Sequence, residues 1–506
     1  MNAENRDFVR APKMGEALLP LFILVASLSL GIIVYKVDPQ VPMFLGVTAA
    51  AAVALRIGYP WEKVEGMMIG GIVKALQSIM ILLIIGILIG VWLNAGVVPS
   101  MIFYGLKVLR PGYFLTAAVL ICSVTSLATG SSWGTVGTIG VALMGISAGL
   151  GIDPAMTAGA ILSGAYFGDK TSPMSDSTNL AAAMAGCDIV SHVKFMLLPT
   201  GVTYGLTLVF FTVLGAVKGA GSAADMSSVG AISSAIEEMF TVSPLLLLPI
   251  VLVIAAIALK VPAIPGLVLG VISGGILGMA TQKGCTLGTL FDCGLYGFRC
   301  ESGIEAIDSL LTTGGIMGMM YAVSMAIIAM MFSGIMTGTG MLSVIVSALK
   351  KRFVKGPASL VALTEASCVL SNMIMPDQYI AIVVPGSMYS EEYRRMGLHP
   401  VSLSNALDSA GAVTSALVPW NTCGVYISSV LGLGVASYGV YSVFNWSMPI
   451  VSLVMAYMGL TVCGSDRSRL WGAQKKKANA AGLQMPLQGN LPSPGWRRRL
   501  LPAAYR

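Results

Sequence analysis

The chain has 506 residues, of which 56% are hydrophobic and only 10% charged, against about 25% charged in an ordinary soluble domain. This excludes a soluble globular protein and predicts an all-α polytopic membrane protein with roughly ten to twelve crossings at about 20 residues each. The net charge of +7 is local: from Gly464 to Arg506 nine Lys or Arg face one acid, Asp466, a balance of +8, so the membrane portion is near neutral and no nucleic-acid partner is implied.

The residues before Leu18 are polar and mixed in charge, so no cleavable leader is expected. Apolar runs follow at Leu18 to Tyr35 and, shorter, at Pro42 to Leu55, and a charged turn from Arg56 to Glu65 leads into a long run from Met67 to Leu93. A short amphipathic piece ends in Lys107 and Arg110, and the next run covers Tyr113 to Ala128. The one after it is broken from the outset, by Ser131-Ser132-Trp133-Gly134-Thr135. Pro154 restarts a helix that leads into Gly168-Asp169-Lys170-Thr171-Ser172-Pro173-Met174-Ser175-Asp176-Ser177-Thr178-Asn179. There carboxylates, a lysine, a proline, hydroxyls and an amide interrupt a membrane-length stretch. A span from about Val193 to Val217 closes this half. Ionisable groups inside a membrane mark a functional site by default, and non-helical backbone persists in hydrocarbon only where it lines a cavity. Oxygens of these types suit a small hard cation.

The segment Lys218 to Val242, rich in Gly, Ala, Ser and acids, reads as a linker, and past it the pattern recurs. Cys122, Gly140, Gly151, Pro154, Ser163 and Pro173 meet the same residue type 246 positions later, at Cys368, Gly386, Gly397, Pro400, Ser409 and Pro419. That offset sets Ser131-Ser132-Trp133 opposite Asp377-Gln378-Tyr379, just after Pro376. It also sets Pro173-Met174-Ser175-Asp176 opposite Pro419-Trp420-Asn421-Thr422. Paired broken segments point to a substrate site at the interface of two transporter repeats. The expected divisions are an N-terminus (1–17), a first transmembrane repeat (18–217), a linker (218–243), a second repeat (244–463) and a basic tail (464–506). With both termini cytoplasmic the crossings are even in number, so two halves of odd count are inverted. Lys350-Lys351-Arg352 with Lys355 then lies inside, and Lys107 with Arg110 outside.

Eight scattered cysteines without a CxxC pair and only two histidines argue against a zinc site. Cys285, Cys293 and Cys300, in one connecting loop, read as thiols, with a disulfide left open. No Walker A motif is present, so an ATP-driven pump is not expected, and no cofactor is implied. An intramembrane enzyme would need a nucleophile with its base, and His192 and His399 both sit at segment edges.

Three stretches, Gly130-Ser131-Ser132-Trp133-Gly134-Thr135-Val136-Gly137-Thr138, Gly164-Ala165-Tyr166-Phe167-Gly168-Asp169-Lys170-Thr171-Ser172-Pro173 with Ser175-Asp176-Ser177-Thr178-Asn179-Leu180, and Val418-Pro419-Trp420-Asn421-Thr422-Cys423-Gly424, resemble signatures of the NhaC family of sodium/proton antiporters. That family also includes malate-proton/sodium-lactate antiporters. The resemblance runs from about Leu18 to Val462. It implies a secondary transporter of the bacterial inner (plasma) membrane, built of inverted repeats with broken helices or hairpins, in which sodium and protons compete for membrane-embedded carboxylates. The alternative it carries is exchange of small carboxylates, malate against lactate. The implied partners are sodium, protons and the lipid bilayer, with a homodimer left open.

The ion-binding or coupling candidates are Asp377, Asp408, Asp176, Asp169, Ser132, Thr135, Ser175, Thr178, Asn179, Asn421 and Thr422. Of these Asp377, Asp176, Asn179 and Asn421 are the expected sodium ligands. The largest coupling role is expected of Asp377 and Asp408, because neither has a Lys or Arg beside it in sequence, whereas Lys170 reads as neutralising Asp169. Glu365, in an apolar run, reads as a satisfied interhelical group. Ser175, Asp176, Thr178 and Asn179 are expected to face the 131–135 break, and Asn421 and Thr422 to face Asp377, since unpaired polar groups are costly in hydrocarbon. The tail lacks apolar periodicity and lies outside the repeats. Truncation after Gly464 is therefore expected to leave transport intact, measured as ion exchange by the correctly inserted truncated protein in vesicles; loss of exchange would refute this.

Overall fold

Inside hydrocarbon a chain must satisfy its own backbone, and helices do so within one segment. The computed structural model describes residues 10–221, 226–259, 261–301, 308, 311–345, 348, 356–375 and 377–464. Glu16 caps the first helix, accepting a hydrogen bond from the Lys13 amide at 3.0 Å and an ion pair from Arg10. Among the described residues, isolated bridges at Phe298–Thr313 and Leu398–Gly464 are the only extended pairings. The expectations for Pro376, the Lys350-Lys351-Arg352 and Lys355 cluster, and the tail beyond Gly464 lie outside the described residues.

The first half comprises α1 (Met14–Ser29), α2 (Gln40–Ile57), α3 (Trp61–Asn94), α4 (Val97–Val108), α5 (Pro111–Thr129), α6 (Ser132–Thr135), α7 (Val141–Gly149), α8 (Pro154–Thr171), α9 (Asp176–Ala185) and α10 (Ile189–Gly221). A π turn, Val136–Gly140, joins α6 to α7. Within the stretch read as a linker the chain forms α11 (Met226–Met239). Then come α12 (Leu248–Ala258), α13 (Ala263–Thr281), α14 (Leu287–Tyr296), α15 (Gly315–Gly338), α16 (Pro357–Ile374), α17 (Gln378–Arg395) and α18 (Pro400–Ala406). A π turn, Leu407–Ala412, and a 3-10 turn, Val413–Leu417, extend α18, and α19 (Thr422–Leu431), α20 (Val435–Tyr438) and α21 (Val443–Tyr457) end the fold. Eight of the described helices are long and apolar enough to cross a bilayer, or nine if one bent pair counts as a single span. The protein is a multi-pass membrane protein. Other apolar runs of the sequence end as shorter helices or, in α8 and α17, as 18-residue helices carrying polar and charged side chains.

The offset of 246 recurs in the helix starts. Pro111 of α5 matches Pro357 of α16, Ser132 of α6 matches Gln378 of α17, and Pro154 of α8 matches Pro400 of α18. Asp176 of α9 likewise matches Thr422 of α19, and Ile189 of α10 matches Val435 of α20. Proline at the first helical position explains several of these starts, since its missing donor is unneeded there and its φ is preset. In packing, α5 lies along α8, α16 lies along α17, and α9 of the first half lies against α17 of the second.

The longest of the described helices, α3, crosses α15 at closest approach through glycine. A Cβ on Gly71 would fall 2.1 Å from the Met330 carbonyl oxygen, and one on Gly334 would fall 2.1 Å from that of Met67. Backbones touch here because no side chain intervenes. Gly334→Val is expected to destabilise the protein by at least about 1–3 kcal/mol through overpacking. Thermal melting in detergent checks this, with the exposed Gly66→Ala, which has open space around it, as the near-neutral control.

Candidate functional site

Every helix that starts at a break needs its first amides satisfied, and each break supplies a polar side chain for that purpose. Ser131 Oγ accepts from the Gly134 amide at 3.0 Å, and Asp377 Oδ1 accepts from the amides of Tyr379 and Ile380 at 2.9 and 3.1 Å. Ser175 Oγ accepts from the Thr178 amide at 3.4 Å, and Asn421 Oδ1 accepts from that of Cys423 at 3.0 Å. The four caps form two pairs across the repeat offset, Ser131 with Asp377 and Ser175 with Asn421. Asn421 Nδ2 also donates to Asn372 Oδ1 at 3.0 Å.

The starts of these four helices line one cavity of about 430 Å³. Ser131, Ser132 and Trp133 come from α6, Ser175, Asp176 and Ser177 from α9, Gln378 and Tyr379 from α17, and Thr422 from α19. Asp169, 7% exposed, reaches the same space from the last turn of α8, and its Oδ2 accepts from Ser132 Oγ at 2.7 Å. The 131–135 and 173–176 breaks are in backbone contact. Gly130 adopts φ 66°, and a Cβ there would lie 2.8 Å from the carbonyl carbon of Met174. Between the halves, Tyr426 donates to the Trp133 carbonyl at 2.6 Å, and their rings stack at 4.3 Å.

The cavity therefore gathers Asp169, Ser132, Ser175, Asp176 and Thr422 of the candidates named from sequence, but not the rest. Asp377 turns Oδ1 to its own helix rather than to Asn421; the starts of α17 and α19 meet instead through Cys423 Sγ and Gln378 Oε1 at 3.4 Å. Thr135 Oγ1 donates to the Ser131 carbonyl at 2.9 Å, and Thr178 Oγ1 donates to the last carbonyls of α8, at 3.3 Å to Asp169 and 3.2 Å to Lys170. Asn179 Nδ2 ties down the break, donating to the carbonyls of Pro173 and Ser175 at 2.9 and 2.8 Å. Of the expected sodium ligands Asp377, Asp176, Asn179 and Asn421, only Asp176 lines the cavity.

Asp408 has a basic partner that its sequence neighbours do not supply. It lies in the π turn, fully buried, and Lys170 Nζ donates to its Oδ2 at 2.7 Å. Lys170 thus pairs with a residue 238 positions away and not with its neighbour Asp169. Successive residues of a helix point about 100° apart, so α8 presents Asp169 to the cavity and Lys170 to the opposite repeat. His192, read as sitting at a segment edge, is fully buried; its Nε2 lies 3.7 Å from the same Asp408 oxygen, and its Nδ1 2.8 Å from Ser404 Oγ. Ser404, His192 and Asp408 fall in the order of a nucleophile, base and acid, but all three have no exposed surface and Lys170 occupies the acid. Glu365 of α16, 4% exposed, has Ser452 of α21 in hydrogen-bond reach of its carboxyl, while its Oε1 is without a hydrogen-bond partner among the described residues.

Cavity residues that escaped the sequence reading include three polar ones on a single helix. Lys74, Gln77 and Ser78 of α3 line the cavity, spaced to share one face of a helix. Their spacing within the otherwise greasy run from Met67 to Leu93 is the signal that points to them. Lys74 is the one cation among the described lining residues.

The chain matches the Na+/H+ antiporter family over residues 164–460. It is 34% identical over 455 residues to the Na(+)/H(+) antiporter NhaC of Alkalihalophilus pseudofirmus, covering 90% of this chain and 97% of that protein. It is also 34% identical over 452 residues to the Malate-2H(+)/Na(+)-lactate antiporter of Bacillus subtilis, covering 89% and 96%. A third relative, the Arginine/ornithine antiporter ArcD of Halobacterium salinarum, is 34% identical over 459 residues, covering 90% and 94%.

Breaking a buried ion pair from one side strands the other charge, whereas replacing both with apolar groups removes the problem. Lys170→Met is expected to cost about 3–5 kcal/mol, and the double change Lys170→Met with Asp408→Leu to recover most of it. Unfolding of the purified variants in detergent measures both. Equal losses in the single and double variants would contradict the pairing.

Proposed function

Because the chain belongs to the Na+/H+ antiporter family, we propose that it exchanges sodium for protons across the bacterial inner membrane by alternating access, with Asp169 as the carboxylate that holds the ion. The observation that carries this reading is the placement of Asp169. It is the buried carboxylate of the cavity, it stands where the broken helices of both halves meet, and the Ser132 hydroxyl already bonds one of its oxygens. Carboxylate and hydroxyl oxygens are the donors a hard cation takes. Asp176, exposed at the start of α9, adds a second negative charge at the mouth. A carboxylate shed of its hydration binds either a proton or a sodium ion, and the two exclude one another, which is the elementary requirement of exchange. Inverted repeats with both termini on the cytoplasmic side fit this scheme, each repeat presenting two broken segments to the shared cavity.

A second reading rests on Lys74. A cavity of about 430 Å³ is far larger than a bare cation needs, at about 30 Å³ for one water. Helix starts and a lysine favour negative charge. Lys74 with the amide ends of α9, α17 and α19 would hold the carboxylate of a small organic acid beside sodium at Asp169. The relative named for malate and lactate exchange makes small dicarboxylates and hydroxy acids the class to try.

Asp169→Asn keeps the shape and removes the charge. In everted vesicles it is expected to abolish sodium-driven proton movement or lower apparent sodium affinity by at least about tenfold. Asp377→Asn should leave exchange intact, because asparagine caps a helix as well as aspartate does, while Asp377→Ala should cost about 0.5–2 kcal/mol of stability. The opposite pattern, exchange lost with Asp377→Asn and kept with Asp169→Asn, would move the ion to the second-half break. For the second reading, uptake of labelled malate that falls in Lys74→Gln while sodium-driven proton movement persists is the expected result. No malate uptake by the unaltered protein would dismiss it.

A further inference from the structure

Away from the cavity, α4, α5, α7 and α12 enclose a groove of about 380 Å³ whose walls, among them Tyr104, Val108, Ile121, Leu143, Ile146 and Val251, are apolar. Its outer lip is open to the surroundings of the protein, since Val108 is 69% and Val251 57% exposed. Two cations flank its lining residues Val108 and Leu109 in sequence, without themselves lining the groove. Lys107 closes α4, with its ammonium 3.9 Å over the Phe103 ring, and Arg110 precedes α5; both are exposed, and neither has an ion-pair partner among the described residues.

The position of these cations matters. α5 begins at Pro111 and is one of the candidate spans, so the turn carrying Lys107 and Arg110 lies where a membrane helix leaves the hydrocarbon. Ile121 is ten residues further into α5, about 15 Å along its axis, which places the groove between the headgroup level and the middle of the bilayer. At about 30 Å³ for a water-sized group, the volume admits roughly a dozen methylenes, the greater part of one acyl chain. A basic pair at headgroup depth and an apolar slot running inward match the two halves of a single molecule.

We propose that this groove is a binding site for an anionic phospholipid, one acyl chain lying against Ile121, Leu143 and Ile146 and the phosphate held by Lys107 and Arg110. The charge complementarity selects an anionic headgroup over a zwitterionic one, each basic residue near a membrane surface adding to the attraction. Nothing in this site touches Asp169 or the helix breaks, so it stands independently of the exchange reaction.

Native mass spectrometry of the full chain released from detergent tests it, with phosphatidylglycerol and phosphatidylethanolamine added in turn. The unaltered protein is expected to retain phosphatidylglycerol preferentially. Lys107→Glu with Arg110→Glu should reduce that retention by about tenfold or more. Val251→Trp, a change at an exposed position of the wall, should reduce retention of the chain without altering the charged pair. Equal retention of both lipids by the unaltered protein would overturn the proposal, as would undiminished retention in the charge-reversed variant. Displacement of the lipid by inorganic phosphate alone would overturn it as well, since that would make the site one for a free anion.

Discussion

Backbone amides cannot be left bare where water is excluded, and this constraint shapes the centre of the molecule. Four helices begin at breaks inside membrane-length segments, and each start is closed by Ser131, Ser175, Asp377 or Asn421. With one amide of each start, or two at Asp377, satisfied by its cap, the starts of α6, α9, α17 and α19 come together, and the space between them is the cavity. The polar residues of the breaks are thus first a condition of folding. Ser132, Asp169 and Asp176 line that space and cap none of the four starts, which is why the proposed ion site is built on them.

The second organising contact is the pair of Lys170 with Asp408. It crosses from α8 in the first repeat to the π turn in the second, and both side chains are almost wholly withdrawn from solvent. A buried pair of this kind is weak as a source of net stability but strict about geometry, because either charge alone is expensive to bury. Its consequence here is orientation. With Lys170 held toward Asp408, the preceding residue of the same helical turn faces the cavity, and the Asp169 carboxylate is presented at the boundary between the repeats. The π turn at Leu407–Ala412 is a departure from regular helix of the kind often found at functional positions, and it is where Asp408 departs from the even course of its counterpart α8.

Much of this was legible in the residues. Prolines, glycines and hydroxyls inside apolar runs marked the breaks, and the recurrence of breakers 246 positions apart gave the correspondence that the helix starts reproduce. What could not be read was the division of labour among chemically similar groups. Serine, aspartate and asparagine are good caps and good cation ligands for the same reason, an oxygen on a short stem, so Asp377 and Asn421 could not be told from Asp169 before their directions were known. The partner of Lys170 was hidden by sequence distance, its neighbour Asp169 being the obvious but wrong choice. Lys74, Gln77 and Ser78 were hidden by the hydrophobicity of the run around them, although their helical spacing was there to be seen.

The central claim is that the ion sits on Asp169, between the broken helices of both halves. An experimental structure of the protein saturated with sodium, at a resolution that shows the bound ion and its oxygens, tests this most directly. The account predicts an ion in contact with the Asp169 carboxylate, with hydroxyl oxygens of the α6 and α9 starts completing its shell and Asp377 still capping α17. An ion held by Asp377 or Asp408, with Asp169 bonded only to Ser132, would contradict it.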